Sequence, residues 1–229
     1  SDLSSLMHYF PLNSQQTLDD FIDFKNKSTL KSAAKRYREV NGKDEKKNSQ
    51  GKLVATSKAI QFTKNQIEYG QKGDWIDSNQ AFTVSSWLKY SKQKNEQILL
   101  SKMNPQEKNK GYEVFIDGHG KIVLTLTHEH EKNALRVEAE TALQANKWQV
   151  FTITYDGSSK ASGVKIYIDA KEVKTKIASD SLQDSIKNKA KFALGKRARL
   201  LLKSPITQLQ IYNKALSPEE VAAFAKLSN

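Results

Sequence analysis

The stretch "THEHEKNALRV", Thr127 to Val137, holds the densest set of side chains able to do chemistry. If it is extended, His128 and His130 fall on one face and Glu129 and Glu131 on the other, because side chains alternate along a strand. Two imidazoles on one face can begin a zinc site, but a tetrahedral site needs further ligands. The other histidines, His8 and His119, are not near in sequence. The competing reading is a polar strand end that hydrogen-bonds its own loop. Asp117, Asp156 and Asp169 stand at the ends of apolar runs, each beside Gly or Ala, where aspartate ordinarily shapes a turn. The chain has no cysteine, so disulfides, thiol nucleophiles, thiolate metal sites and covalent haem attachment are all excluded. No P-loop, dinucleotide fingerprint, nucleophile elbow or His-Glu-x-x-His is present.

The elements that would position these residues read as strands. From Leu53 onward come short runs rich in β-branched and aromatic residues, among them "AIQFT", "FTVSSWLKY", "EQILLSK", "GYEVFID", "KIVLTLTH", "KWQVFTITY", "GVKIYID", "KFALG" and "ITQLQIY", with turn residues between them. The class is all-β. In "FTVSSWLKY" Phe82, Val84 and Leu88 face one way and Trp87 the other. In "KWQVFTITY" Phe151, Ile153 and Tyr155 oppose Trp148, Val150, Thr152 and Thr154. Strands apolar on both faces imply either sheets covered on both sides or a partly hydrophobic concave face. "LSPEEVAAFAKL" is different: Ser217, Pro218 and Glu220 form a helix N-cap with a capping box, so a C-terminal helix is expected over residues 216–227. Near the start, "LMHYFPL" reads as a strand, and Leu30, Ala33, Ala34, Tyr37 and Val40 are spaced for a short surface helix.

At 229 residues, 38% of them hydrophobic, one domain over 1–229 with a sizeable core is expected. No run has the roughly 18 apolar residues of a membrane span. The start, "SDLSSLMHYF", has no initiator Met or leader pattern and reads as an excised or processed segment. The net charge of +12 is concentrated in two places. Lys25 to Lys58 has eleven basic and three acidic residues, and Lys187 to Lys203 has seven basic and no acidic ones. Nucleic-acid partners are disfavoured, since only Tyr37 and Phe192 interleave these clusters and lysine outnumbers arginine 32 to 5. A lysine-rich solvated surface competes with an anionic-polymer patch at Lys196, Arg197 and Arg199.

The runs "FTVSSWLKY", "QILLSKM", "GYEVFIDGHGKIVLTL", "NALRVEAETAL", "KWQVFTITYDGSSKASGVKIYIDAKEV" and "QLQIYNKALSPEEVAAFA" occur in an order and at spacings that resemble the laminin-G-like domains of the concanavalin A-like lectin/glucanase superfamily. The resemblance covers about Thr56 to Ala225, and "HYFPLN" is similar to that family's first strand. The nearest subgroup in pattern is the domain carried by planctomycete multidomain cytochrome c proteins. The resemblance implies a two-sheet antiparallel jelly roll in which residues 14–52 are a helical or irregular basic insertion. It implies a non-catalytic binding module of an exported bacterial protein, with carbohydrate as partner. The alternative is a structural module that packs against neighbouring domains of its own chain or a protein partner.

It further implies a polar pocket around Lys102, Tyr112, His128, Asn133 and Arg136. No cofactor is expected; some laminin-G-like domains use calcium at the sandwich rim, and Asp117, Asp156 and Asp169 are the residues that could hold it here. The glucanases' Glu-x-Asp-x-x-Glu strand is missing, and Glu138 and Glu140 lack the intervening Asp. Trp148-Gln149-Val150, Ile168-Asp169-Ala170 and Thr207-Gln208 depart from the family pattern.

Overall fold

The computed structural model describes residues 74–227, and before them only the backbone of six short strands. Those are β1 (Leu6–Phe10), β2 (Asp20–Ile22), β3 (Thr29–Lys31), β4 (Tyr37–Val40), β5 (Ala59–Phe62) and β6 (Ile67–Glu68). Then follow β7 (Phe82–Lys89), β8 (Gln97–Asn104), β9 (Lys110–Ile116), β10 (Ile122–Glu129), β11 (Asn133–Ala139), β12 (Trp148–Tyr155), β13 (Val164–Ile168), β14 (Lys171–Val173) and β15 (Thr175–Asp180). The chain ends with β16 (Ala193–Leu194), β17 (Lys196–Arg197), β18 (Leu200–Leu201), β19 (Ile206–Tyr212) and helix α1 (Pro218–Leu227).

Two large sheets carry the fold. The first runs β14-β13-β12-β7-β19-β5-β4, with β1 also on β19, and the second runs β15-β11-β10-β9-β8-β16-β6. The described pairs within them are antiparallel, and consecutive strands repeatedly change sheet, as in a jelly-roll sandwich. In place of the surface helix expected across 28–40, the backbone forms β3 and β4, and β4 pairs with β5 from Tyr37↔Phe62 to Val40↔Ala59. Ladder pairing to a neighbouring strand has overridden weak helical periodicity.

The core lies between the two sheets. Phe82, Val84, Leu88, Phe151, Ile153, Tyr155, Ile166 and Ile168 meet Leu100, Val114, Ile116, Leu124, Leu126, Leu135 and Val137 in one cluster. Trp87 and Val150 belong to a separate cluster with Ala225 of α1, and Tyr167 packs with Tyr212, Leu216 and Val221. The first sheet is therefore apolar on both faces because the helix covers its outside. Ser217 Oγ accepts the Glu220 amide at 3.2 Å while Glu220 Oε1 accepts the Ser217 amide at 3.2 Å, which closes the expected capping box. Gly111, at φ 139°, lets β9 lie against β8, where a Cβ would stand 1.8 Å from the Lys102 carbonyl oxygen.

Candidate functional site

On the outer face of the second sheet one polar residue per strand lines up across five strands. Ser101 is the register partner of Glu113, Glu113 of Thr125, Thr125 of Arg136, and Arg136 of Ser179. Such partners place their Cβ atoms about 4.5–5.5 Å apart on a shared face. Ser101 Oγ donates to Glu113 Oε2 at 3.0 Å. Arg136 donates from Nε at 3.0 Å and Nη2 at 2.9 Å to Glu138 Oε1, and its guanidinium lies 5.4 Å from the centre of the Phe115 ring. The Thr125 hydroxyl oxygen is buried and has no hydrogen-bond partner. Beside this row Ile98, Phe115 and Val123 form an apolar strip that Leu200 of the β17–β18 hairpin packs against. The same hairpin brings Arg197 onto Glu113, Nε to Oε2 and Nη2 to Oε1 at 3.1 Å. That carboxylate raises the Arg197 pKa above its ordinary value, burial opposing it more weakly.

The five residues expected to share a pocket divide between two places. Arg136 stands in the polar row. Lys102 and Tyr112 are register partners pointing into the sandwich, both fully buried. Lys102 Nζ donates to the carbonyls of Asn188 at 2.5 Å and Ala190 at 2.9 Å, and lies 3.5 Å from an Asp74 carboxylate oxygen. Tyr112 packs against Phe192, and burial drives its hydroxyl well above the usual pKa, with Asp74 adding to the rise.

His128 and Asn133 reach the same segment that Lys102 holds. His128 Nδ1 donates to the Ser185 carbonyl at 2.7 Å. Asn133 donates to Asp184 Oδ2 at 2.8 Å and accepts the Gln183 amide at 2.7 Å. Asp77 completes the clasp by accepting from the Ile186 amide at 2.9 Å and the Ser185 hydroxyl at 3.0 Å. These groups satisfy the backbone of a long irregular segment, 181–192, at the sandwich end.

The three aspartates named for calcium accept hydrogen bonds from backbone amides, Asp117 and Asp156 within their own turns and Asp169 from strand β12. Asp117 accepts from the amides of His119 and Lys121, Asp156 from that of Ser158, and Asp169 from that of Val150. Among the described residues no group of three or more His, Asp or Glu is placed to hold a metal ion. The first basic cluster, Lys25 to Lys58, falls mostly outside the described residues.

Sequence reasoning passed over Ser101, Glu113, Thr125 and Asp77. Glu113 had a signal: it is the one charged residue inside the apolar run "YEVFI". A charge there must find a partner once the strand is covered.

A family model described as the concanavalin A-like lectin/glucanases superfamily matches residues 56–222. The chain belongs to that superfamily. No curated protein sequence matches it. Among solved structures the superfamily member is similar to the binding domain of Paraclostridial Mosquitocidal Protein 1, with TM-score 0.68 and 19% identity over 96% of this chain and 52% of that one. The binding domain of botulinum neurotoxin serotype G gives TM-score 0.65 and 16% identity over 96% and 50%. The CBM40 of Ruminococcus gnavus IT-sialidase, bound to alpha2,3-sialyllactose, gives TM-score 0.51 and 16% identity over 64% and 82%. The chain thus spans about half the length of the toxin binding domains. At these identities the likeness is one of fold. No helix among the described residues is long and apolar enough to cross a membrane.

Proposed function

We propose that the chain is a non-catalytic binding module of a larger exported bacterial protein, and that it holds carbohydrate on the outer face of the second sheet. The observation that carries this is the Arg136 guanidinium, fixed by Glu138, lying over Phe115 in a row that continues to Ser179. Sugar recognition needs planar, bidentate hydrogen-bonding groups held rigidly beside an apolar surface. The fold neighbours support a binding role, one of them being a module bound to a sialylated sugar. The resemblance of "TYDGSSKASGVKIYID" to domains of planctomycete cytochrome c proteins belongs to the same proposal.

Hydrolysis is disfavoured. Glu113 and Glu138 are each engaged by an arginine, whereas a glycosidase pair must be free to donate a proton and to attack. Packing against a neighbouring domain is disfavoured because the exposed large hydrophobic side chain among the described residues, Ile177, stands singly and forms no patch. Of the anionic-polymer patch Lys196, Arg197 and Arg199, Arg197 is engaged by Glu113 and Arg199 is exposed.

A printed array of neutral and acidic oligosaccharides, probed with and without calcium, tests the reading. Wild type should retain at least one class, and Arg136→Ala should weaken that retention at least tenfold. No retention by wild type rejects it.

A further inference from the structure

The Lys196–Leu201 hairpin is a two-stranded sheet of its own and joins the strand ladder of neither large sheet. Its neck is fixed: the Gly195 amide donates to the Leu99 carbonyl at 3.0 Å, and the Leu202 amide to the Gly195 carbonyl at 2.7 Å. Gln97 Oε1 then receives the amides of Lys203 and Ser204 at 3.1 Å each, so the return strand is held as firmly as the exit. Beyond this neck Arg197 on Glu113, Leu200 on Ile98, Phe115 and Val123, and Leu201 on the main core attach the hairpin to the domain. The turn residues Ala198 and Arg199 are exposed. Held by side chains and not by ladder hydrogen bonds, the hairpin can open without breaking either large sheet.

The face beneath it is unusual for a face meant to stay dry. Glu113 is 2% exposed, and beside it the Thr125 hydroxyl is shielded without a partner, an arrangement that folding alone penalises. Ser101, Glu113 and Thr125 stand in one row next to the Phe115 ring. With the hairpin lifted they would present a carboxylate that accepts from two neighbouring hydroxyls, two side-chain hydroxyls, and an apolar strip. That chemistry suits the vicinal hydroxyls and C–H face of a neutral sugar, and the bare carboxylate would repel an anionic one.

We propose that Ser101, Glu113 and Thr125 form a covered polyol-binding site, that the Lys196–Leu201 hairpin is its flap, and that Arg197 occupies the place on Glu113 that ligand hydroxyls take. This rests on the carbohydrate reading above and extends the open Arg136 end of the row to its covered end. The partly filled site explains the orphan hydroxyl: Arg197 satisfies Glu113 but does not reach Thr125.

The test uses Thr125→Val, which keeps the shape and removes the hydroxyl, on the same oligosaccharide array as wild type and Arg136→Ala. It is read together with trypsin cleavage after Lys196, Arg197 and Arg199 and hydrogen exchange of residues 196–201. The expected result is that Thr125→Val loses at least tenfold in affinity for a neutral oligosaccharide. That sugar, added at saturation to wild type, should speed cleavage and exchange of the hairpin at least threefold, the reverse of ordinary ligand protection. Retention equal in wild type and Thr125→Val but lost in Arg136→Ala, with hairpin cleavage unchanged or slowed by sugar, overturns the covered site and leaves the carbohydrate reading standing. No retention of any oligosaccharide by wild type overturns both.

Discussion

The guanidinium of Arg197 closes on the carboxylate of Glu113, 84 residues earlier, and so joins a surface hairpin to a nearly buried acid on the second sheet. Taking away the cation leaves the acid without its main partner. Arg197→Ala is expected to lower stability by about 1–3 kcal/mol, whereas Arg199→Ala, at the exposed tip, should stay within about 0.5 kcal/mol of wild type. Urea denaturation measures both. Equal, negligible effects would mean that Glu113 is solvated as well without its arginine as with it.

The same pairing sharpens the expectation for anionic polymers. If the Lys187 to Lys203 cluster holds them, the Lys196→Ala/Arg199→Ala double variant should elute from heparin resin at clearly lower salt than wild type, because cations attract a polyanion through a field that salt screens over about 8–10 Å. Wild-type elution already at low salt, unchanged in the double variant, would identify the cluster as a solubilising surface.

Lys102 makes a separate prediction. Its amine, with no exposed surface, holds the carbonyls of Asn188 and Ala190, so Lys102→Met should strip those acceptors and cost about 3 kcal/mol. The damage should be local. Hydrogen exchange should quicken across 181–192 well before it does in β9 and β10, and uniform quickening would contradict the clasp.

What the sequence made legible follows from what period-2 patterning encodes. Phe82, Val84 and Leu88 against Trp87, and Phe151, Ile153 and Tyr155 against Val150, separate in the structure as they do along the chain, because strand alternation is a local property. The capping box at Ser217 and Glu220 is equally local. Sites are not. Lys102 and Arg136 both lie on strands of the second sheet, but one side chain enters the sandwich and the other leaves it. His128 and Asn133 spend their polar groups on a loop some fifty residues further on. Which face a polar residue takes, and which distant loop it meets, depends on register and bulges, such as those between Thr127 and Glu129 and between Arg136 and Val137. The row from Ser101 to Ser179 exists only once five strands are aligned.

Asp169 and Ala170 join β13 to β14 with φ of 51° and 65°. Two successive positive φ values are the geometry of a type I′ hairpin turn, where the second residue is best as glycine. An alanine held there costs about 1–2 kcal/mol. Ala170 also packs against the clusters of Tyr167 and Trp87, which offsets part of the gain from removing its methyl. Ala170→Gly is therefore expected to stabilise by about 0.5–1 kcal/mol, read as a rise in thermal midpoint. A fall would show that the methyl's packing outweighs the backbone strain.

Glu220 couples the C-terminal helix to pH. Its pKa is lowered first by the hydrogen bond from Lys214 and then by the Ser217 amide, so the folded state favours the ionised form. A carboxyl whose folded pKa is depressed contributes stability that is fully present above its unfolded pKa, ordinarily about 4.3, and is lost as pH falls through the lower folded value. Protonation weakens the reciprocal cap at the first turn, an interaction of about 1 kcal/mol, and with it the docking of α1. Trp87 and Trp148 pack in the cluster that includes Ala225, so their fluorescence reports that docking. Emission should shift to the red as pH is lowered below about 4. Glu220→Gln keeps an acceptor for the Ser217 amide but has no ionised form to lose, so its acid limb should be flatter. An identical limb in wild type and Glu220→Gln would assign the acid sensitivity to other carboxylates.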